Sequence, residues 1–437
     1  MRDPQMFQIA WLLLGLLAIL LASGVWIGIV LLVCGLAAML FVPSVPIGSV
    51  LATTTWSSGS SWTLAALPLF IWMGEILFRT RLSENMFRGL SPWLGWLPGR
   101  LLHVNVIGCG VFAAVSGSSA ATAATVGKIA LPELKRRGYD EQLSIGSLAG
   151  AGTLGLLIPP SIPMVIYAVA ANVSIIQVFL AGFLPGLLVM SLYSGYIIAW
   201  SLLHPGRTPQ PDPWMPFLAR LRASADLVPV VMLIALVFSS LIFGLATVTE
   251  CAAWGVLGAL LLAAWSRTLS WETFWGSVMG ATRVTAMIML ILSGAAFMSA
   301  AMAYTGIPAA LAAWVNGLEL SPFALIAALT VLFIILGCFI DGISMIVLTS
   351  VVVLPMVKAA GFDLIWFGIF VVIMVEMAQI TPPVGFNLFV LQTLTGRDSF
   401  AIAKAALPFF LLLVAAAAII TAFPQIALFL PRMAFPG

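Results

Sequence analysis

Charge is what this sequence has least of. Of its 437 residues only 18 are Lys or Arg and 15 are Asp or Glu. A water-soluble chain of this length needs far more polar side chains to cover its exterior, so a soluble globular protein is excluded. Histidine is scarcer still, with His103 and His204 alone. Both fall at predicted membrane edges and form neither a triad nor a zinc site. The four cysteines, Cys34, Cys109, Cys251 and Cys338, lie far apart in apolar segments without metal-ligand spacing. They read as packing thiols. A Walker A pattern is absent, which excludes ATP hydrolysis by a P-loop within this chain. An intramembrane protease would need a second aspartate beside Asp341 or a histidine beside Ser118, and neither is evident. The chain is therefore not expected to be an enzyme or to carry a resident cofactor.

Apolar residues, in contrast, make up 62% of the chain, and the mean hydropathy is +1.17. Many stretches reach the ~20 apolar residues that cross a bilayer as a helix. The short alternating segments of an outer-membrane barrel are not seen. The first apolar run, 7–42, is too long for a signal peptide and lacks a clear cleavage site, so it reads as retained helices. Predicted crossings in the first half are 6–22, 25–42, 64–78, a broken one at 144–171, and 175–203. Those of the second half are 227–243, 247–265, 283–304, a broken one at 364–394, and 404–423. Between the third and fourth crossing of each half lies an apolar stretch that turns at small or polar residues. The first, about 101–134, turns at Ser116-Gly117-Ser118-Ser119; the second, about 322–357, turns near Asp341-Gly342. Each has room for two half-length helices and reads as a re-entrant hairpin. Such irregular backbone survives at depth only where protein or a watery cavity covers it. Segments 82–98 and 307–318 read as interfacial helices, with Trp93 and Trp96 at the headgroup level.

A repeat organises these pieces. Leu131-Pro132-Glu133-Leu134-Lys135-Arg136-Arg137-Gly138-Tyr139-Asp140 returns 223 positions later as Leu354-Pro355-Met356-Val357-Lys358-Ala359-Ala360-Gly361-Phe362-Asp363. The same offset carries Pro159-Pro160 onto Pro382-Pro383. Interrupted apolar segments at matching places in two halves point to a transport site at the repeat interface. The expected fold is an all-α membrane protein of two inverted-topology repeats, 1–203 and 227–437, each with a re-entrant hairpin and a Pro-Pro-broken helix. A polar, proline-rich cytoplasmic linker, 204–226, joins them.

An odd number of crossings per half inserts the halves in opposite senses, and the basic residues agree. With the first hairpin entering from the cytoplasm, that side collects Arg79, Arg81, Arg88, Arg100, Lys135, Arg136, Arg137, Arg207, Arg220, Arg222, Arg267, Arg283, Arg397 and Lys404. Those are 14 of the 18, as the positive-inside rule requires. Only Arg2, Lys358 and Arg432 fall outside, with Lys128 inside the first hairpin and expected to snorkel to the cytoplasm. The net charge of +3 reports orientation, not a nucleic-acid surface.

The hairpin turns and breaks carry the candidate chemistry. Serine and glycine at a turn inside the membrane present hydroxyl and carbonyl oxygens, the ligands a hard cation such as sodium takes in place of water. Proline lacks an N–H, so a Pro-Pro pair frees carbonyls one turn earlier. A first sodium site is expected from Ser116, Gly117, Ser118 and Ser119 facing Gly152, Thr153 and Pro159. A second is expected from Asp341 and Gly342 with Glu376, Thr381 and Pro382. Helix packing by small residues is the bland alternative for Ser116–Ser119; two tips paired with two breaks favour the cation reading. Acids within apolar segments are costly and functional by default. That applies to Asp341 and Glu376, whereas Glu75 is as well explained by a hydrogen bond to a neighbouring helix.

Three runs make a family resemblance visible: Ala114-Val115-Ser116-Gly117-Ser118-Ser119-Ala120-Ala121-Thr122-Ala123, Ile158-Pro159-Pro160-Ser161-Ile162-Pro163-Met164, and Ile380-Thr381-Pro382-Pro383-Val384-Gly385-Phe386-Asn387-Leu388. With Gly361-Phe362-Asp363 and Thr249-Glu250-Cys251-Ala252-Ala253, they resemble the large membrane subunit of tripartite ATP-independent periplasmic (TRAP) transporters over almost the whole chain. The resemblance implies sodium-coupled import of an organic anion delivered by a periplasmic binding protein, across the bacterial inner membrane. It also implies a small four-helix membrane subunit, expected here as a separate chain, and an elevator-type movement of the hairpin domain against a scaffold. Substrate contact is expected at Ser119, Pro160, Ser161, Pro383 and Asn387. Cys251 stands where the family often has alanine, and Gly342-Ile343 follow the tip aspartate where proline is frequent. The alternative is a solitary anion:cation symporter that needs no binding protein; a structural subunit without a site would not explain the embedded acids.

Cysteines placed singly at positions 136 and 358 are expected to react with a membrane-impermeant maleimide from opposite sides. Labelling of both from one side would remove the inverted arrangement.

Overall fold

The computed structural model describes residues 4–42, 45–60, 62–80, 82–209, 215–307, 310, 317, 321–382 and 385–435. Every regular element among them is helical, since only a helix pairs its own backbone within one segment inside hydrocarbon. Five described helices are long and apolar enough to cross a membrane, or up to seven if each bent pair is one span.

An outer set of helices forms one layer. It contains α1 (Pro4–Ala22), α2 (Ile27–Leu40), α3 (Ile47–Gly59), α4 (Ala66–Phe78) and an arm, α5 (Leu82–Leu94). From the second half come α11 (Phe217–Ser224), α12 (Val228–Ile242), α13 (Val248–Trp265) and α14 (Trp271–Thr305). Small residues let α2 and α14 touch backbone to backbone: a Cβ on Gly294 would lie 2.5 Å from the Gly28 carbonyl oxygen. Trp72 Nε1 on α4 donates to Ser277 Oγ on α14 at 3.1 Å, and Trp93 Nε1 ties the arm to Ser224 Oγ on α11 at 2.6 Å.

The inner set holds two hairpins and two broken helices. The first hairpin is α6 (Leu102–Ser116) and α7 (Ser119–Arg136), followed by the broken pair α8 (Glu141–Leu157) and α9 (Ile162–Ala170) and by α10 (Ile175–Leu203). The α8–α9 pair bends by 44°. The second hairpin is α15 (Pro322–Gly337) and α16 (Gly342–Ala359). It is followed by α17 (Leu364–Gln379), α18 (Phe386–Thr395), α19 (Ser399–Ala422) and α20 (Gln425–Ala434). Leu143 to Leu157 and Trp366 to Gln379 are buried throughout, so α8 and α17 form the centre. Their apolar surroundings on all sides account for sequences without an amphipathic period.

The repeated phrase does the same local job twice. Gly138 and Gly361 take φ of 77° and 82°, which turns the chain after α7 and α16 at little cost without a Cβ. Asp140 then caps α8 through Leu143 N at 2.9 Å, and Asp363 caps α17 through Ile365 N at 2.8 Å. Each cap also meets a late arginine, Arg207 to Asp140 at 3.6 Å and Arg432 to Asp363 at 4.0 Å. Across the halves, Arg397 pairs with Glu141 at 2.6 Å and holds that carboxyl below the usual range. Tyr167 hydroxyl donates to the Leu364 carbonyl at 2.6 Å.

Several boundaries differ from the sequence expectation. Segment 47–59 forms a helix although it is rich in Thr and Ser. Packing on α14 supplies what propensity lacks, and Thr53 and Thr54 return their hydroxyls to carbonyls four residues back at 2.7 and 2.6 Å. Expected crossings 25–42 and 64–78 contain helices of 14 and 13 residues, only ~20 Å long at 1.5 Å per residue. The crossing expected at 283–304 is the end of a 35-residue helix, and α20 was not anticipated. Most of the expected interfacial helix 307–318 lies outside the described residues.

Gly146 sits where α8 and α19 meet, and a Cβ there would be 2.2 Å from the Ala405 carbonyl oxygen. Gly146→Ala should therefore destabilise the detergent-solubilised protein by about 1–3 kcal/mol. Gly195→Ala, where no atom lies within 4 Å, should be neutral or stabilising by up to ~1 kcal/mol. Equal melting temperatures for the two variants would contradict the α8–α19 packing.

Candidate functional site

The first hairpin reverses at Gly117, whose φ of 58° ends α6, and Ser118 caps α7 by accepting from Ala121 N at 3.4 Å. Ser116 Oγ and Thr122 Oγ1 are 2.8 Å apart, and the Thr122 hydroxyl donates to the Ser118 carbonyl at 2.7 Å. Three hydroxyls thus share one turn of backbone. The tip is docked into the break of α8–α9. A Cβ on Gly155 would lie 2.6 Å from Ser118 O and 2.8 Å from Ser119 N, and one on Gly117 would lie 3.0 Å from Pro160 O. Pro159 and Pro160, joined by a cis peptide, cannot return N–H groups to the carbonyls of Gly155 and Leu156. Ser161 hydroxyl donates to Leu156 O in their place. On its other side the tip meets outer helix α4, where a Cβ on Gly74 would lie 3.0 Å from Ser116 O.

The two halves meet at the same turn. Ser119 hydroxyl donates to Asn387 Oδ1 at 2.7 Å, and Asn387 Nδ2 reaches the Ala149 carbonyl at 3.5 Å. A Cβ on Gly152 would lie 3.2 Å from that amide nitrogen and 2.8 Å from Ala123 Cβ. Gly152 and Gly155, three residues apart, therefore share the helix face turned to the hairpin. Thr153 is turned away from it, donates to Gly150 O at 2.7 Å, and stands beside Tyr193.

The second tip uses its aspartate structurally. Asp341 caps α16, accepting from Ile343 N at 3.1 Å, from Ser344 N at 3.2 Å and from the Ser344 hydroxyl. Its charge faces the positive end of that helix. The tip packs on α17: a Cβ on Gly342 would meet Val375 Cγ1 at 2.0 Å, and one on Gly337 would meet Ala378 Cβ at 2.6 Å. At the second break Thr381 hydroxyl donates to Met377 O at 2.5 Å, and Gly385 N donates to Thr381 O at 3.0 Å. A Cβ on Gly385 would lie 2.8 Å from Gln379 O and 2.9 Å from Thr381 O, so carbonyls crowd that turn. Pro382 is present at the break; Pro383 lies outside the described residues.

The structure thus brings Ser116–Ser119, Gly152, Pro160 and Asn387 to one place, and sets Gly342 of the second tip against Val375 of α17, six residues before the Thr381 turn. It does not bring Glu376 to Asp341: no hydrogen bond joins them, and Glu376 is buried against the Leu157 peptide of the first half instead. Thr122, Gly155 and the close approach of Gly74 were missed by sequence reasoning. Thr122 was detectable as a hydroxyl four residues after Ser118 on one helical turn; Gly74 left no sequence signal. Glu75 pairs with Arg79 at 3.3 Å against Gly276 and Gly280 of α14, which makes it part of the α4–α14 contact. Glu250 closes a capping box with Thr247, and Lys128 is exposed. Among the described residues no group of three His, Cys, Asp or Glu is placed to hold a metal. Uncharged carbonyls and hydroxyls around unwound turns suit a monovalent cation instead.

Comparison with known proteins bears on this geometry. The profile of the tripartite ATP-independent periplasmic transporter DctM component matches residues 14–426. The isethionate TRAP transporter permease protein DctMQ of Oleidesulfovibrio alaskensis is 32% identical over 95% of this chain, which spans 65% of that relative's length. The C4-dicarboxylate TRAP transporter large permease protein DctM of Pseudomonas aeruginosa is 31% identical over 87% of this chain and 89% of its own. The ectoine TRAP transporter large permease protein TeaC of Halomonas elongata is 29% identical over 85% and 87%. In fold, the chain is similar to the YdaH transporter of Alcanivorax borkumensis, with a TM-score of 0.61 at 14% identity over 86% of this chain and 88% of that one. With a match that takes in both hairpins and both breaks, this multi-pass protein of the bacterial inner membrane belongs to the DctM family, the large permease component of TRAP transporters.

Proposed function

We propose that this chain is the large membrane subunit of a sodium-coupled secondary transporter that imports an organic anion handed over by a periplasmic binding protein. The observation that carries the reading is the docking of the Ser116–Ser119 turn into the Pro159-Pro160 break, tied to the other half by Ser119 and Asn387. One sodium ion is held by oxygens of Ser116, Gly117, Ser118 and Ser119 with the freed carbonyls near Gly155 and Pro159. A second sits at the other tip, with Gly342, Thr381 and Pro382 around it and Asp341 orienting the turn. The anion lies between them, against Ser119, Pro160, Ser161, Asn387 and Pro383. Relatives named for C4-dicarboxylate and isethionate support an organic anion, and one named for ectoine shows that the substrate varies within the family.

The two halves act as inverted repeats. Both hairpins and both broken helices travel as one body against the outer helices, in an elevator movement. The small four-helix subunit stays on the outer set, and the binding protein docks on the periplasmic side.

In proteoliposomes with both partners, uptake should require an inward sodium gradient and fail with a proton gradient alone; the reverse outcome removes sodium coupling. Ser118→Ala, which loses one hydroxyl, should raise the half-saturating sodium concentration about fivefold, on the order of 1 kcal/mol. A crosslink between Gly74→Cys and Val115→Cys should abolish uptake while binding-protein association persists. Normal uptake by the crosslinked protein would rule out the moving-domain assignment.

A further inference from the structure

The helix after each proline break packs mainly on the other half. α18 rests more on α7 of the first hairpin than on α17, which precedes it, and α9 rests more on α16 of the second hairpin than on α8. Each of these short helices is also tied to the first residue of the other half's central helix. Tyr167 hydroxyl on α9 donates to Leu364 O at the start of α17 at 2.6 Å. Arg397, just past α18, holds Glu141 at the start of α8. Positions 141 and 364 are separated by the 223-residue offset of the repeated phrase, so the fold makes one tie twice with different chemistry.

The charged tie leads to the first tip. Arg397 meets Glu141 with both prongs, Nε to Oε1 at 3.0 Å and Nη2 to Oε2 at 2.6 Å, which fixes direction as well as distance. The backbone around Arg397 is itself held. Gly396 reverses the chain with a φ of 68°, Thr395 hydroxyl accepts from Arg397 N at 3.2 Å, and Asp398 caps α19 through Phe400 N at 3.1 Å. From this turn α18 runs back through ten residues, ~15 Å at 1.5 Å per residue. Midway along the groove between α7 and α8, a Cβ on Gly127 would lie 2.9 Å from Leu394 Cδ1 and 2.8 Å from Leu148 Cδ2. At the far end Asn387 accepts from the Ser119 hydroxyl at 2.7 Å and reaches Ala149 O at 3.5 Å. No side chain caps that end of α18 at Gly385. The helix is a short rod, with Asn387 at one end and the ion pair at the other.

We propose that Glu141 and Arg397 are positioning residues for the first site: their ion pair sets where α18 lies along α7 and α8, and so holds the Asn387 amide on the Ser119 hydroxyl. This deepens the reading that puts an ion and the anion at that turn, and adds two residues that touch neither. Both side chains are about half exposed, Arg397 at 56% and Glu141 at 55%. An exposed pair adds little to overall stability, so its loss should appear in ligand half-saturation before it appears in melting temperature.

The test is uptake by the complete transporter complex in proteoliposomes, with half-saturating sodium and substrate concentrations separated from the maximal rate. Glu141→Gln and Arg397→Gln should each raise half-saturation about threefold, within what an exposed pair can supply, with maximal rate and melting temperature near wild type. The double variant should be no worse than the worse single one, because both lose the same interaction. Arg397→Lys keeps the charge without the fork and should fall between. In an Asn387→Ala background, Glu141→Gln should add nothing. Unchanged half-saturation in both single variants overturns the proposal, whether or not the melting temperature falls. So does a Glu141→Gln effect that persists undiminished without the Asn387 side chain. If Asn387→Ala does not transport, sodium-dependent thermal stabilisation of the purified protein supplies the same comparison. Sodium-independent uptake by the wild-type complex would remove the sodium reading alone, and half-saturation by substrate would then decide the positioning role.

Discussion

Every feature of the inner set follows from one constraint: backbone polar groups inside hydrocarbon must be satisfied or covered. Two hairpin turns and two proline breaks violate it four times. The chain answers by placing the irregular pieces against each other, with Gly155 admitting the Ser118–Ser119 peptide and Gly117 admitting Pro160 O. At the second break, Thr381 and Gly385 close their own carbonyl turns. At the first tip and break, two would-be defects become one compact set of oxygens. Glycine matters at these contacts because any side chain would hold the turns apart.

Burial of α8 and α17 is the second consequence. With lipid as apolar as leucine, helices gain little from hiding greasy faces, and close packing of small residues holds the assembly together. The Gly146–Ala405 and Gly28–Gly294 approaches are examples. Polar ties between the halves in the inner set include Ser119 to Asn387, Asn387 to Ala149 O, Tyr167 to Leu364 O, and Glu141 to Arg397. In the outer set Trp72 to Ser277 joins the halves as well, and α4 meets the first tip at Gly74.

The resemblance that the motifs carry and the match along the chain agree on the family, while the solved YdaH transporter shares the fold at 14% identity.

The membrane class, the helical content, the places of both turns and both proline breaks, and the recurrence of the Gly-x-Asp phrase were legible in the residues themselves, whereas its helix-capping role was not. Hydropathy and proline act locally, within a turn or two of the chain. The same held for Ser116–Ser119 as a turn rich in oxygens. The tertiary structure alone decided which oxygens face one another. One helical position is 100° of rotation, so Thr153 leaves the face that Gly152 and Gly155 share, and Glu376 leaves the tip that Val375 and Ala378 touch. Periodicity could not assign those faces, because α8 and α17 are apolar on every side and buried on every side. Where a helix has no wet face, sequence has no means of marking its functional one, and packing decides.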